Sequence, residues 1–351
     1  MPSKKIPVAV LGATGSVGQR FVQLLQDHPW FEVAELVASE RSVGRPYREA
    51  TDWRLDSTVP AGVADLVVKD YSDQIDSPIA FSALPGEVAE EIEQRLAKDG
   101  HAVLSNTSFH RMGDDIPLMI PEVNPDHARA IEAQKKNRGW SGYIVTNPNC
   151  SAIHMVLTLK PLQEAFGLEQ VVVTTLQAVS GAGYPGVPSL DMIDNVVPFI
   201  RTEEEKMAEE TQKLLGKGHD GFQYDPVVVS ATCTRVPVRD GHTEAVSVKL
   251  GQSATPDEVA EVFRAFRGRP QILDLPSAPK RPIVVREEPN RPQPNLDRDA
   301  EKGMASVVGR LRECPIMGVK YVLLGHNTIR GAAGASILNA ELFKVEGLLP
   351  V

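Results

Sequence analysis

The residue with the clearest chemical potential is Cys150, which lies in the segment TNPNCS at positions 146–151. A strand-like run at 143–145 precedes this segment, and an apolar run with helical spacing follows it. The proline and asparagine between them break the strand, so the pattern predicts Cys150 where a loop becomes a helix N-terminus. Unpaired N–H groups and the helix dipole lower a thiol pKa there from ~8.5 to about 3.5–7.5, producing a nucleophilic thiolate. A small buried cysteine without chemistry fits the position equally well.

A second candidate site is the glycine-rich segment GATGSVG at 12–18, which follows a strand and opens a helix. Its glycines let the backbone approach a pyrophosphate, and the helix N-terminus faces the negative charge. The spacing is GxxGxxG instead of GxGxxG, so the strand–loop–helix context carries the prediction of dinucleotide binding. After the second strand, Ser39, Arg41 and Ser42 suit the 2′-phosphate of NADP, whereas Glu40 suits the 2′-hydroxyl of NAD. We predict NADP.

A cysteine nucleophile and a nicotinamide cofactor suit one reaction in particular. The thiolate adds to an aldehyde, hydride leaves to the nicotinamide, and an acceptor then attacks the thioester. His242, in the polar turn RVPVRDGH, is the candidate acid–base, and Arg235 of the same turn could reach the same cleft. Gln177 interrupts an apolar strand, where it could orient a substrate or satisfy a core hydrogen bond. Asn106 and Arg111 follow a strand at the position where loops of open sheets bind ligands.

Composition bounds the class of protein. The 351 residues suffice for two domains, and a net charge of -9 disfavours nucleic acid or an anionic membrane as the main partner. No apolar run approaches the ~18 residues of a membrane span. The three cysteines, Cys150, Cys233 and Cys314, are an odd count without zinc-site spacing. We therefore expect a reducing, cytoplasmic location and no metal.

The elements that must position these residues change character near Cys150. Strand and helix patterns alternate through residues 1–149, which predicts a mostly parallel, Rossmann-like doubly wound α/β sheet. The β-rich runs that follow lack regular helical crossovers and predict an α+β domain with a mixed sheet.

Local signals predict how several later segments are built. The sequence TPDE at 255–258 predicts a capping box, and Thr202 is expected to cap another helix. The segment 276–298, rich in Pro and Arg, is expected to be a surface excursion. We expect the tail at 332–342 to be an amphipathic helix that returns to the first domain.

Taken together, the motifs resemble those of the aspartate-semialdehyde dehydrogenase family, particularly its shorter archaeal and fungal branch. The similarity runs in order through GATGSVG at 12–18, SNTSFHRM at 105–112, PEVN at 121–124, TNPNCS at 146–151, LQAVSGAGYPG at 176–186, EEEKMAEET at 203–211, RVPVRDGH at 235–242 and HNTIRGAAGASILNAEL at 326–342. The combination of TNPNCS with RVPVRDGH is specific. Nothing diagnostic stands at 45–78 or 267–315.

The resemblance implies a reaction and the residues that carry it. L-aspartate 4-semialdehyde, phosphate and NADP would give 4-phospho-L-aspartate and NADPH, and lysine, threonine and methionine biosynthesis would run the reaction in reverse. Cys150 would be the nucleophile, His242 the acid–base, and Gln177 the residue that orients the intermediate. Arg235 would bind the substrate carboxylate bidentately, and Glu203 would meet the substrate ammonium.

The resemblance also implies the ligand contacts and the assembly. The phosphate site would be formed by Lys206, Arg111 and Asn106. The cofactor would contact Gly12, Thr14, Gly15, Ser16, Val17, Ser39, Arg41, Ser42, Ser82, Leu84, Pro85, Ser180, Gly183 and Asn327. A Rossmann domain at 1–149, completed by a C-terminal helix at 331–351, would join a catalytic and dimerisation domain at 150–330. The protein would form a homodimer or homotetramer.

Two other functions stay open at this point. Malonyl-CoA reductases resemble this family and keep the cysteine and the histidine, so a thiol-dependent NADPH reductase of that type is one alternative. A non-enzymatic NADP-binding sensor is the other, and it has no use for Cys150.

Overall fold

The computed structural model describes residues 4–218 and 221–351, so residues 1–3 of the predicted first domain lie outside the described residues. Within these ranges, five parallel strands form the first sheet in the order β2-β1-β3-β4-β5. The strands are β1 (Ile6–Leu11), β2 (Phe31–Val37), β3 (Ile79–Ser82), β4 (Ala102–Ser105) and β5 (Tyr143–Thr146). The accompanying helices are α1 (Ser16–Leu25), α2 (Tyr47–Ala50), α3 (Gly86–Lys98) and α4 (Ala130–Arg138).

Alternation along β1 shows that the first sheet is covered on both faces. Val8 and Val10 enter the core on one side, Ala9 and Leu11 enter the core on the other, and all four are buried. The strand order reverses between β1 and β3, so their carboxyl ends border a crevice that suits a ligand. This arrangement confirms the predicted Rossmann-like doubly wound α/β sheet.

The second sheet is mixed, as predicted. Its strands within the described ranges follow the order β11-β12-β13-β10-β6-β9, in which β6 pairs with β9 and β11 with β12 in parallel and the remaining pairs are antiparallel. The elements in chain order are α5 (Ala152–Phe166), β6 (Leu168–Gln177), α6 (Ser189–Met192), α7 (Glu203–Leu215), β7 (Lys217–Gly218), β8 (Phe222–Gln223), β9 (Val228–Arg235), β10 (His242–Leu250), α8 (Pro256–Ala265), α9 (Arg269–Ile272), β11 (Ile283–Val285), α10 (Pro294–Asp297), β12 (Ser306–Cys314), β13 (Gly318–Gly325) and α11 (Gly334–Glu346).

One face of the second sheet is buried and part of the other is exposed. Val171 and Val173 on β6 are buried in the second core, which α5 and α7 also line. Val172 and Leu176, on the opposite face of β6, are 44% and 38% exposed. No helix in the described part of the chain is both long and apolar enough to cross a membrane.

The C-terminal helix is buried on all sides, so the prediction of an amphipathic helix is wrong. A π-helical turn (Ile329–Ala333) leads into α11, and every residue of α11 from 334 to 343 is buried. Ile337 and Phe343 pack into the core of the first sheet, whereas Ala335 belongs to the core of the second domain. The helix lies between the two domains, so both of its faces are covered and it has no solvent-exposed polar face over these residues.

The segment 276–298 is only partly the expected surface excursion, and this prediction is wrong for its centre. Ile283 and Val284 are buried in β11, which extends the second sheet in parallel with β12. The buried carboxylate of Asp297 accepts hydrogen bonds from Arg286 and Arg291 and fixes the charged residues that flank the strand. A three-residue strand is too short to show a period of its own.

The two predicted helix caps have different outcomes. Thr255 forms the predicted capping box: its hydroxyl accepts from the Glu258 N–H, and the Glu258 carboxylate accepts from the Thr255 N–H. Thr202 precedes α7 but does not cap it, because its backbone is left-handed and its hydroxyl donates to the Arg201 carbonyl.

This difference predicts unequal effects of removing the two hydroxyls. Thr255→Ala should lower the free energy of unfolding by about 1 kcal/mol, because the N-terminus of α8 then loses its side-chain cap. The matched variant Thr202→Ala removes no cap bond and should change it by less than about 0.5 kcal/mol. Urea unfolding of both variants beside the wild type measures the difference. Equal losses would contradict the assignment of the cap.

Candidate active site

Cys150 lies in the turn between β5 and α5, where the first sheet meets the second domain, and it is partly exposed. The side-chain oxygen of Asn149 accepts the N–H groups of Ser151 and Ala152 at 2.8 and 3.1 Å. The first N–H groups of α5 are therefore capped by Asn149 and are not directed at the sulfur. A Cβ at Gly331 would lie 3.0 Å from the Cβ of Cys150, so the glycine gives this turn its room.

The expected lowering of the Cys150 pKa is wrong. Burial raises the pKa of this thiol to about 12, and the Glu203 carboxylate raises it further, while Arg111 and Arg235 oppose the rise. The reason is physical: desolvation penalises the thiolate, and the helix N–H groups that would stabilise it are already bonded to Asn149.

His242 begins β10 and is fully buried, with its Nε2 3.2 Å from Cys150 Sγ. The Ala178 N–H donates to Nδ1 at 3.0 Å. Because Nδ1 accepts a hydrogen bond, the neutral ring carries its proton on Nε2 and presents it to the sulfur. Burial, together with Arg235 and the neighbouring histidines 154 and 326, lowers the pKa of His242 well below its usual value. The free site therefore holds a neutral thiol beside a neutral imidazole.

The raised pKa predicts how alkylation of Cys150 depends on pH. Only the thiolate reacts, and its fraction grows about tenfold per pH unit while the pH lies below the pKa. We expect the rate of reaction with iodoacetamide to rise about tenfold per unit between roughly pH 6 and pH 9. Peptide mass spectrometry follows Cys150 separately from Cys233 and Cys314. A rate that levels off below about pH 7 would reveal a thiolate–imidazolium pair and contradict this reading.

Three further predicted residues form one network beside the sulfur. Gln177 and Arg235 stand opposite each other at the ends of β6 and β9. Gln177 Nε2 donates to Glu203 Oε1 at 3.0 Å, and Asn149 Nδ2 donates to the same oxygen at 2.8 Å. Arg235 Nη1 donates to the Ala178 carbonyl at 2.8 Å. The structure thus brings an amide, a carboxylate and a guanidinium to one wall of the site.

Glycine at position 181 makes room for this wall. A Cβ there would lie 2.8 Å from Arg235 Nη1 and 3.0 Å from His242 Cε1. Only a residue without a side chain allows the guanidinium and the imidazole to approach this segment together.

Arg111 occupies a second wall, on the loop after β4. Its Nη1 donates to Glu210 Oε1 and its Nη2 to the Asn106 carbonyl, both at 2.9 Å. Its Nε–H is buried and has no acceptor within residues 4–218 and 221–351. Lys206 lies on α7, one turn after Glu203, and is half-buried. Arg111 thus keeps one N–H donor that no described residue uses.

The Asn106 side chain is already engaged by the protein. Its Nδ2 donates to the Ser82 carbonyl and to Ser336 Oγ, both at 3.1 Å, and its Oδ1 accepts from Asn147 Nδ2 at 2.9 Å. A phosphate would compete with these bonds. In this structure Asn106 ties the ends of β3 and β5 to α11.

The predicted glycine loop has the backbone that a dinucleotide site requires. Gly12 has a positive φ of 72°, and a Cβ at Gly18 would lie 2.2 Å from the Gly12 carbonyl oxygen. The segment 14–17 leads from this loop into the N-terminus of α1, beside the crevice between β1 and β3. Close approach and free helix N–H groups fit a pyrophosphate.

The remaining predicted cofactor residues surround the loop to different extents. Ser39, Arg41 and Ser42 form a turn after β2, whose Val37 carbonyl accepts from the N–H of Gly12. Arg41 is exposed, whereas Ser42 is buried. Ser82, the last residue of β3, is buried; in the loop that follows, Leu84 is buried and Pro85 is exposed.

A cavity of about 580 Å³ opens between the first helix and the second domain. Ser16, Ser180 and Gly183 line it, and Asn327 Nδ2 donates to Ser180 Oγ at 2.8 Å. Three of the predicted cofactor residues, one from the first domain and two from the second, therefore face one cavity.

Several residues that shape the site escaped the sequence reasoning. The sequence pattern identifies Asn149 only as a strand breaker, and it gives Glu210 no role. Glu210 is seven residues after Glu203 and so lies on the same helix face, a spacing from which it could have been found. Gly181 and Gly331 carry no signal beyond their type, because their importance depends on what packs against them.

A cysteine in contact with a histidine, at the border of a dinucleotide-binding sheet and a mixed-sheet domain, defines a thiol-dependent dehydrogenase. The family model for the semialdehyde dehydrogenase NAD binding domain matches residues 7–131, and that for the dimerisation domain matches residues 159–330. The chain belongs to the aspartate-semialdehyde dehydrogenase family.

Similar proteins and similar solved structures match this chain over nearly its full length. The aspartate-semialdehyde dehydrogenase of Archaeoglobus fulgidus is 53% identical over 97% of this chain and 99% of its own length. That of Schizosaccharomyces pombe is 47% identical over 97% and 99%. The crystal structure of the Candida albicans enzyme with NADP superposes with a TM-score of 0.90 at 39% identity, covering 99% of this chain and 100% of that one. The Vibrio cholerae enzyme II complexed with ASA gives 0.78 at 31% identity, covering 98% and 99%.

Proposed function

We propose that this protein interconverts L-aspartate 4-semialdehyde and 4-phospho-L-aspartate, with NADP as cofactor, through a thioester on Cys150. The observation that carries the proposal is the 3.2 Å contact between Cys150 Sγ and His242 Nε2, at the junction of β5 and α5. The relatives named above share this activity in their names, so the malonyl-CoA reductase alternative is not supported. The sensor alternative gives no role to the contact between Cys150 and His242.

The chemistry begins at the sulfur. Cys150 Sγ bonds to the aldehyde carbon of the semialdehyde, and the thiol proton moves to the former carbonyl oxygen, giving a hemithioacetal. His242 Nε2 is placed to hydrogen-bond this oxygen and to exchange its proton. NADP, when bound, accepts the hydride from the same carbon, and one proton leaves to solvent. Phosphate then attacks the thioester, which gives the acyl phosphate and restores the thiol.

The rest of the site suits the charges of this substrate. Arg235 would bind the α-carboxylate, because its Nη1 alone is hydrogen-bonded within the described residues and its fork matches a carboxylate. Glu203 would meet the ammonium and Gln177 would orient the intermediate. The orphaned Nε–H of Arg111, with Lys206 nearby on α7, would bind the phosphate.

We propose a homodimer as the assembly, and a homotetramer would pair two such dimers. The exposed face of the second sheet carries Val172, Leu176 and Val228, and the neighbouring segment exposes Leu190 and Phe199. An exposed apolar surface of this extent suits an interface, and the dimerisation-domain model covers this region. A cytoplasmic location is proposed from the three free cysteines.

A single assay tests the proposed function. Continuous NADPH formation from aspartate semialdehyde and NADP, followed at 340 nm beyond the first turnover, should require inorganic phosphate and should vanish in Cys150→Ala. Malonyl-CoA should support no NADPH oxidation. Turnover without phosphate, or wild-type turnover by Cys150→Ala, would refute the proposal.

The carboxylate role of Arg235 predicts a selective defect. Arg235→Lys keeps the charge but loses the planar fork, so the KM for aspartate semialdehyde should rise at least about tenfold. The exposed Arg264 on α8 offers a matched control, since Arg264→Lys keeps the site intact. Steady-state kinetics with saturating phosphate and NADP measure both variants. An unchanged KM in Arg235→Lys would remove Arg235 from carboxylate binding.

A further inference from the structure

One carboxylate on α7 joins the two walls of the site. Glu210 is 1% exposed, and each of its oxygens has a partner from a different loop. Oε1 accepts from Arg111 Nη1 at 2.9 Å, and Oε2 accepts from the Asn149 N–H at 2.5 Å. The residue beside the nucleophile and the arginine with the orphaned donor are thus bonded to the same rigid group.

The same face of α7 also holds the main chain of the Arg111 loop. One turn beyond Glu210, the buried ammonium of Lys213 donates to the carbonyls of Arg111, Gly113 and Ile116 at 2.8, 2.8 and 3.0 Å. The loop is therefore tied to α7 through its backbone as well as through the arginine side chain. These bonds leave Arg111 little freedom to adopt another position.

We propose that Glu210 is a positioning residue for the phosphate step, an inference that rests on the proposed function. Paired with Glu210 and the Asn106 carbonyl, the Arg111 guanidinium is held with its Nε–H unused. The second oxygen of Glu210 fixes the distance from that donor to the cysteine turn. Phosphate must attack the thioester carbon on Cys150, and the rate of such a step depends on the distance and orientation at which the two reactants are held.

Charge alone does not explain this arrangement. A lone arginine would attract phosphate more strongly than one paired with a carboxylate, so Glu210 weakens this attraction. Its benefit is that it holds the Arg111 Nε–H in a fixed position relative to Cys150. Its contribution therefore concerns where the phosphate stands, which is the step after thioester formation. Hemithioacetal formation and oxidation require no bound phosphate, so they do not depend on where the Arg111 Nε–H places it.

The experiment replaces Glu210 by glutamine. Two donors face Glu210, whereas glutamine offers one acceptor and one donor, so the pair cannot be satisfied together. In Glu210→Gln the KM for inorganic phosphate should rise at least about tenfold, and the KM for aspartate semialdehyde should stay within about threefold. The control is Glu209→Gln, an exposed neighbour on the same helix, which should match the wild type.

A second readout separates positioning from general damage. With NADP and semialdehyde but no phosphate, the enzyme should produce a burst of NADPH equal to its active sites, and Glu210→Gln should keep this burst. If Glu210→Gln does not fold, Glu210→Asp replaces it, because a shorter carboxylate keeps the charge but cannot reach both donors. It should raise the phosphate KM in the same direction.

The outcomes distinguish this inference from the proposed function. A wild-type phosphate KM in the variant, or a burst lost in parallel with turnover, would overturn the positioning role alone. A wild type without phosphate-dependent turnover would refute the proposed function, and the positioning role would fall with it.

Discussion

The site depends on the hydrogen bonds of one residue, Asn149. Its side-chain oxygen caps α5, its amide nitrogen bonds Glu203, and its main-chain N–H bonds Glu210. These bonds determine where Cys150 stands, because the cysteine is the next residue along the chain. The turn follows β5 of the first sheet. It leads into α5 of the second domain and is hydrogen-bonded to α7. Loss of these bonds would separate Cys150 from Glu203 on one side and from Glu210 with Arg111 on the other.

Desolvation governs the electrostatics at the sulfur. Arg111 and Arg235 favour a thiolate at Cys150, yet burial and Glu203 outweigh them and raise the pKa of the thiol. The Ala178 N–H adds a directional constraint, since it keeps the His242 proton on the nitrogen that faces the sulfur. In the proposed mechanism, the carbonyl oxygen of the substrate would accept the thiol proton from this neutral pair.

Much of the fold follows from local patterns in the sequence. Three predicted features depend only on neighbours in the chain, and the structure contains each of them. They are the β1–loop–α1 unit, the capping box at Thr255, and the change near Cys150 from alternating strands and helices to mostly strands. The grouping of Cys150, His242, Gln177, Arg235 and Glu203 followed from the family resemblance, and the structure places these side chains in one connected network.

What the sequence did not reveal depends on contacts between distant segments. The tail helix was expected to be amphipathic, but α11 is covered by both domains, which no periodicity within it can show. The pKa of Cys150 is raised instead of lowered, because residues far along the chain bury the thiol. The strand β11 likewise pairs with the distant strand β12. Glu210 was overlooked because a carboxylate in an acidic helix is ordinarily solvated, and only its two partners distinguish it.

The central claim is that sulfur at position 150 carries the acyl group between oxidation and phosphate transfer. The most direct measurement mixes the protein with aspartate semialdehyde and NADP, omits phosphate, quenches in acid and maps the adduct by mass spectrometry. The account predicts an aspartyl thioester on the Cys150 peptide that disappears when phosphate is added before the quench. NADPH formed without any adduct on Cys150, or an adduct that phosphate leaves in place, would contradict it.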